Sequence, residues 1–182
     1  RRRLLGGGLA LGLLTACGAA APPTATVPAT RQIATAMGNV MVPLSARKVV
    51  CLDSYSLSDM LDAGLTPVGI PEKMSGAVVP AHTALVPPIA TVGAYGQPDL
   101  EKITALQPDL ILGITMDSVK GVYDRLSAIA PTALFDYTVA DAWRVLAGQF
   151  DDAAGRGTSL ATFQETYRQR AAALRATYAA TL

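Results

Sequence analysis

Between Lys48 and Phe150 the chain alternates short apolar runs with amphipathic stretches, and this alternation restricts its fold more than any other feature. Lys48 to Leu52 reads as a continuous buried strand. Ser56 then offers an N-cap, with Asp59 three residues on. Leu57, Met60 and Leu61 form one apolar face, and Gly64 stands where a helix C′ glycine should. Thr66 to Ile70 is a second strand. Pro71 to Pro88 is a Pro/Ala-rich connection, and Ala90 to Val92 is a third strand. Pro98 to Leu106 reads as a helix with Leu100, Ile103 and Leu106 on one side, stopped by Gln107-Pro108. Asp109 to Ile114 is the most apolar strand. Ser118 to Ile129 reads as a single helix that aligns Val119, Val122, Tyr123, Leu126 and Ile129. Thr132 to Phe135 follows as a strand and Asp141 to Phe150 as a helix. Ahead of all this, Arg31 to Val42 reads as a hairpin turning at Gly38-Asn39. Short apolar strands separated by helices indicate the α/β class with a parallel, Rossmann-like sheet.

In such sheets ligands collect at the carboxyl ends of the strands. That rule nominates the loops starting near Asp53, Pro71, Thr115 and Asp136, and the segment from Gly93 to Gln97. The C-terminal stretch differs. Thr158 or Ser159 can cap a helix to about Ala180, with Leu160, Phe163, Tyr167, Leu174 and Tyr178 at near-heptad spacing. Such a helix would be about 30 Å long.

The N-terminus carries its own signal. Arg1-Arg2-Arg3 precedes an apolar run from Leu4 to Leu14, and Leu14-Thr15-Ala16-Cys17 follows. A basic head, a short apolar run and small residues at the cut site make an export signal over residues 1–16. Leu-Thr-Ala-Cys has the form of a lipobox, so Cys17 is the expected lipidation site. Arg1-Arg2-Arg3-Leu4-Leu5 also fits the core of a twin-arginine signal, which leaves two export routes open. Residues 17–31 are rich in Ala, Pro and Thr, and read as a flexible tether behind the anchored cysteine. This places the protein outside the cytoplasm, held by lipid at the outer face of the cytoplasmic membrane.

Net charge is +1 and only 16% of residues are charged, so no basic stripe suggests nucleic acid. Cys51 lies in the apolar run Val49-Val50-Cys51-Leu52 and reads as a buried small hydrophobe. With Cys17 lipidated, no disulfide framework remains. His82 is the only histidine and has no second ligand near it in sequence, so no metal site is expected. No nucleophile-base set or phosphate loop is recognisable.

The ordered series of runs resembles one family. Arg47-Lys48-Val49-Val50-Cys51-Leu52-Asp53 and Leu61-Asp62-Ala63-Gly64-Leu65-Thr66-Pro67-Val68-Gly69 are similar to the N-lobe of helical-backbone periplasmic binding proteins. So are Val92-Gly93-Ala94-Tyr95-Gly96-Gln97-Pro98-Asp99-Leu100-Glu101-Lys102-Ile103, Leu106-Gln107-Pro108-Asp109-Leu110-Ile111-Leu112 and Ala130-Pro131-Thr132. These proteins serve ABC importers of ferric siderophores, haem and cobalamin. The resemblance implies two α/β lobes joined by one long helix, with ligand between them. It divides this chain into an N-terminal lobe at 32–152 and a connecting helix at 153–182, and places the second lobe beyond the sequence.

The same resemblance implies roles for particular residues. Glu101 matches a glutamate that docks to permease arginines, although an acid in the first helical turn also suits the macrodipole. Tyr95 lies where relatives set an aromatic or Arg against the ligand, and Lys73 at another ligand-facing position. Thr115 and Met116 end the fourth strand, while Tyr55 and Tyr137 follow the first and fifth; all four join the ligand-binding set. Asp117 reads as a helix cap and Trp143 as core packing. The expected function is lipid-anchored capture of a ferric siderophore and delivery to an ABC permease, with no bond made and no cofactor. Haem or cobalamin is the alternative ligand within the family; Tyr95 or Tyr137 could supply an axial oxygen to haem. A non-transport receptor, or an enzyme or metallochaperone on a related scaffold, is the alternative of another class.

Overall fold

The computed structural model describes residues 29–140 and 142–179, apart from the side chains of 158–160 and 163. The export signal, Cys17, most of the tether, Asp141 and the side chains of Thr158, Ser159, Leu160 and Phe163 lie outside that description. Strands β1 (Thr30–Thr35) and β2 (Gly38–Pro43) form an antiparallel hairpin, so Thr30 and Arg31 belong to a strand and not to the tether. The turn falls at Ala36-Met37, two residues before the expected position. Thr35 sets it: its Oγ1 accepts the Met37 N–H at 3.1 Å and donates to the Gly38 carbonyl at 2.7 Å. Gly38 then takes φ 105, which an L side chain resists.

The main sheet is parallel. It contains β3 (Val49–Cys51), β4 (Gly69–Ile70), β5 (Ala90–Thr91), β8 (Leu110–Ile114) and β9 (Thr132–Phe135), in the order β5-β4-β3-β8-β9. Two-residue strands β6 (Gly93–Ala94) and β7 (Gln97–Pro98) form a separate hairpin. The chain moves outward from β3 through β4 to β5, then returns to the other side of β3 as β8. Strand order therefore reverses between β3 and β8, the topological switch point of an open α/β sheet.

Side chains on each strand alternate between two cores, as the pleat requires. Val49, Cys51, Leu110, Leu112, Ile114, Ala133 and Phe135 face one core. Helices α1 (Ser54–Asp62) and α5 (Ala142–Ala153) close it with Leu57, Met60, Leu146 and Phe150. Phe150 meets Phe135 edge-on, with ring centroids 5.3 Å apart. Val50, Leu52, Ile111 and Leu134 face the other core. There α2 (Leu100–Leu106), α3 (Asp117–Lys120) and α4 (Tyr123–Ser127) supply Ile103, Val119 and Leu126.

Several boundaries differ from the sequence reading. Asp53, not Ser56, caps α1: its Oδ1 accepts the Ser56 N–H at 2.9 Å. The sheet ladder still holds Leu52, whose N–H donates to Leu112, so Asp53 is the first residue free to cap. The other end of α1 is as expected. Leu65 N–H donates to the Met60 carbonyl and Gly64 N–H to Leu61, which is the Schellman pattern around a left-handed Gly64. The helix expected over Ser118 to Ile129 is two short ones, divided at Gly121-Val122. Asp117 is not a cap but the first residue of α3, paired to Lys120 at 2.7 Å. Pro98 belongs to β7, so α2 starts later, behind the cap Asp99.

Helix α6 (Gly157–Thr177) matches the long C-terminal helix, at about 30 Å from its 21 residues. Ala153 and Ala154 are fully buried in the first core, ahead of it. Tyr167, Leu174 and Tyr178 are 54–63% exposed. Among the described residues, no helix is long and apolar enough to cross a membrane.

Candidate ligand-binding edge

Each parallel strand ends at the same edge of the sheet, and the residue or two after it must lie there. That geometry places Thr115 after β8 and Tyr137 after β9, while Tyr55 stands in the first turn of α1, the helix that leaves β3. Tyr95 reaches the edge differently, at the tip of the β6–β7 hairpin that follows β5. This hairpin turns tightly because Gly93 and Gly96 both take positive φ. A Cβ on Gly96 would come within 2.9 Å of the Met116 side chain, so the hairpin tip rests on Met116.

The structure brings three of the proposed tyrosines into one electrostatic neighbourhood. Partial burial raises the Tyr95 phenol above its ordinary range, and the charges of Asp53, Tyr55 and Tyr137 push it in the same direction. Asp53 itself is buried at the start of α1. Its carboxyl is pushed up to about 6 by burial, against hydrogen bonds to Ser56, Tyr55 and Ile114 that favour its ionised form. Its Oδ2 is buried without a hydrogen-bond partner. Cys51, two residues back, is also buried, and burial foremost, then the Asp53 charge, raises its thiol well above the usual range. It is packing, as expected.

Beside the tyrosines lies a groove of about 480 Å³, lined by Thr115, Asp117, Lys120, Asp136, Tyr137 and Thr138 with Ala36 and Met37. The β1–β2 turn forms its outer wall because Ala36 N–H donates to the Leu134 carbonyl at 2.9 Å, joining hairpin to sheet edge. Asp136 is held by an Asx turn: its Oδ1 accepts from Thr138 N–H at 2.9 Å and from Thr138 Oγ1 at 2.8 Å. Those bonds lower its carboxyl from the usual range. The Lys120 ammonium is raised by its Asp117 partner, and Asp117 is lowered by the same bond. Lys120 and Thr138 were not singled out from sequence, and Asp136 was named only as the start of a nominated loop. The signals were present, as an Asp-x-x-Lys pair and an Asp-x-Thr turn after a strand.

The remaining candidates fall less centrally. Met116 is half-buried and packs on both cores beneath the Tyr95 hairpin. Lys73 is exposed in a left-handed conformation, φ 61, and does not line the groove. Glu101 is exposed in the first turn of α2, where its N–H donates to the Asp99 cap at 3.1 Å. His82 Nε2 sits 3.5 Å from Asp62 Oδ1, far from a ligand cluster; among the described residues no group of His, Cys, Asp and Glu could hold a metal ion. Trp143 corrects the sequence reading. It is not core packing: it is 60% exposed, with the Arg144 guanidinium 4.9 Å from its ring centroid. Helical periodicity assigned the inward face of α5 to Trp143, whereas Leu146, Phe150 and Ala153 fill it.

Comparison with known proteins adds a family to this geometry. The sequence profile described as "Periplasmic binding protein" matches residues 49–180. The putative ABC transporter substrate-binding lipoprotein YhfQ of Bacillus subtilis is 36% identical over 107 residues, covering 58% of this chain and 33% of its own length. The probable siderophore-binding lipoprotein YfiY of the same organism is 33% identical over 119 residues, covering 63% and 35%. Among solved structures, Staphylococcus aureus SirA complexed with staphyloferrin B superposes with a TM-score of 0.67 at 26% identity, covering 82% of this chain and 52% of that one. The chain thus spans about a third of these curated relatives and about half of the solved protein.

Proposed function

The chain belongs to the periplasmic binding protein family, and from that footing we propose that it is the N-terminal lobe of a lipid-anchored binding protein that delivers a ferric siderophore to an ABC importer. The observation that carries this reading is the switch-point edge, where Tyr55, Tyr95, Tyr137 and Thr115 converge beside a 480 Å³ groove. The named relatives are substrate-binding and siderophore-binding lipoproteins, which supports the iron-chelate class over others. The protein's task is differential affinity: hold the chelate at the edge, then release it to a permease. The chelator already saturates the iron, so the protein needs hydrogen-bond donors, rings and charges but no metal ligands of its own. In this reading Glu101, exposed near the same edge, docks to permease cations, and Cys17 bears the lipid. Lys73 and Met116 serve the site from its margin, Lys73 by charge and Met116 by supporting Tyr95.

The test uses the purified full-length gene product. It is titrated by calorimetry with a ferric tricatecholate, a ferric trihydroxamate, ferric citrate, haem and cobalamin. Saturable binding of a ferric chelate at micromolar levels or tighter, weakened by Tyr95→Ala, is the expected result. Binding of haem or cobalamin with silence on all three iron chelates would move the assignment within the family. Silence on all five would overturn it.

A further inference from the structure

Asp53 stands at the carboxyl end of β3, beside the switch point, and is only 1% exposed. Its two carboxyl oxygens have different surroundings. Oδ1 caps α1 by accepting the Ser56 N–H at 2.9 Å. Oδ2 is buried without a hydrogen-bond partner. A cap needs one oxygen, and a neutral Ser or Asn supplies it as well as Asp does. The second oxygen therefore lies outside the capping role, and burying it unpaired is costly.

The surroundings of Asp53 offer neutral donors and no cation. Ser56, Tyr55 and Ile114 favour its ionised form, yet burial outweighs them and brings the carboxyl to about 6. From β3, Cys51 faces it with a thiol that stays protonated. From α1 come Tyr55 and Asp59, and from the β6–β7 hairpin Tyr95, whose phenol feels the Asp53 charge. Lys120 of α3 is committed to Asp117, and Arg144 of α5 lies against the Trp143 ring. A ligand resting on Tyr95 thus covers an acid whose charge is not neutralised. An anionic ligand disfavours the ionised form further, and by linkage the neutral form favours the anionic ligand.

We propose that Asp53 makes capture at this edge proton-linked: an anionic iron chelate enters together with one proton, taken from solvent onto Asp53 Oδ2, and leaves as that proton returns to solvent. This rests on the iron-chelate reading above and adds its regulation. The sign follows from which state holds the proton more tightly. The bound state raises the carboxyl above its ligand-free value of about 6, so affinity for an anion is fully present below about 6 and is lost as pH rises through the bound value. One negative charge within about 10 Å, at an effective dielectric constant of about 20, raises the carboxyl by roughly one unit. Affinity then falls about sixfold between about pH 5.5 and about pH 7.5.

Calorimetry on the full-length gene product tests this with three probes: a ferric tricatecholate and ferric citrate, both anionic, and a ferric trihydroxamate without net charge. Titrations in paired buffers of different ionisation enthalpy read the proton uptake directly. An anionic chelate should bind with uptake of up to about one proton and weaken about sixfold across that range, while the uncharged chelate shows neither effect. Asp53→Asn keeps the cap and the side-chain shape but has no proton to accept. It should hold the anionic chelate at the wild-type low-pH affinity throughout, and its difference from wild type removes any protons carried by the chelate itself. Asp59→Asn, six residues along α1, should keep the wild-type profile. A role confined to capping α1 would move the unfolding midpoint and leave the binding profile alone. The same pH profile in wild type and Asp53→Asn, or binding of the uncharged chelate alone, would overturn the proton link and leave the iron-chelate reading standing. Silence of all three ferric chelates would overturn both. Proton uptake is read on the wild-type protein, so the test holds even if Asp53→Asn does not fold.

Discussion

Replacing Asp59 by Asn should stabilise this protein most at alkaline pH and much less in mild acid. Asp59 lies on α1, half-buried where that helix packs against α5, and α5 contributes the buried Asp151. Burial first, then the charges of Asp151, Asp62 and Asp53, push the Asp59 carboxyl up to about 8 from 3.8. His82 faces the same helix through Asp62. Because the folded value is the higher one, the folded state holds a proton that the unfolded chain releases. The contribution of this group to stability is therefore fully present below pH 3.8, is lost as pH rises from there to about 8, and levels off beyond. Each unit is about 1.4 kcal/mol, so the full shift is bounded at about 6 kcal/mol. Sharing of the proton with neighbouring carboxyls and local relaxation reduce this, and a net effect of about 2–4 kcal/mol is expected.

The Asp59→Asn substitution keeps the shape of the side chain and removes its charge. Urea unfolding of both proteins at about pH 5 and about pH 9 reads the difference directly, since the gap starts to open where the unfolded chain's carboxyl ionises and widens to about pH 8, so at pH 5 it should be only roughly a third of its value at pH 9. A gap of about 2–4 kcal/mol at the higher pH is expected to move the melting temperature by on the order of 10 °C. Asp53, pushed up to about 6, adds a second fall confined to the window between 3.8 and about 6. The reasoning fails if Asp59→Asn has the same effect at both pH values, or if the gap is larger at pH 5 than at pH 9.

Gly155 takes φ 73 against the Leu44 carbonyl, which a Cβ would overlap, so Gly155→Ala should cost about 3 kcal/mol or more by chemical denaturation. Phe150→Ala removes the fully buried ring that meets Phe135 and should cost about 3–5 kcal/mol. Asp99 accepts the Glu101 and Lys102 N–H groups at the head of α2, so Asp99→Ala should cost about 1 kcal/mol while Asp99→Asn costs less. Cys51 is buried with its thiol held protonated, so a thiol reagent should modify it only at the rate of unfolding; fast labelling of the native protein would contradict its packing role.

The strands were legible because burial on both faces leaves a continuous apolar run, as in Leu110 to Ile114 and Thr132 to Phe135. Gly64 was legible because the Schellman geometry needs a left-handed residue at that point. Choices made by tertiary contact were not. Asp53 and Ser56 are both good caps three residues apart, and only the hydrogen bond from Leu52 into β8 decides where the strand ends. A side chain, Thr35, moved the hairpin turn off its glycine. Helices α3 and α4 are separated where Val122 leaves the helical region at φ −117, although the apolar spacing runs through unbroken. At the site, the tyrosines that directly follow strands were found by a topological rule. Lys120 lies within a helix, where the rule gives the end of the element but not the face.

The fold and the candidate site draw on different residues, and this separation has a physical basis. Stability comes from two cores filled by alternate strand positions and by one face each of α1, α2 and α5. Tyr55, Tyr95 and Tyr137 stay 40–48% exposed and belong to neither core. Their positions are nonetheless fixed, because each sits within a turn or two of a strand, hairpin or helix start that the cores hold in place. Rings carried this way lose few rotamer states when a ligand arrives, so contact area converts to affinity with a small entropic loss. Substitution at this edge should thus change what is bound without changing whether the chain folds, whereas substitution at Asp59 or Phe150 does the reverse. Binding and stability measured on the same variants separate the two.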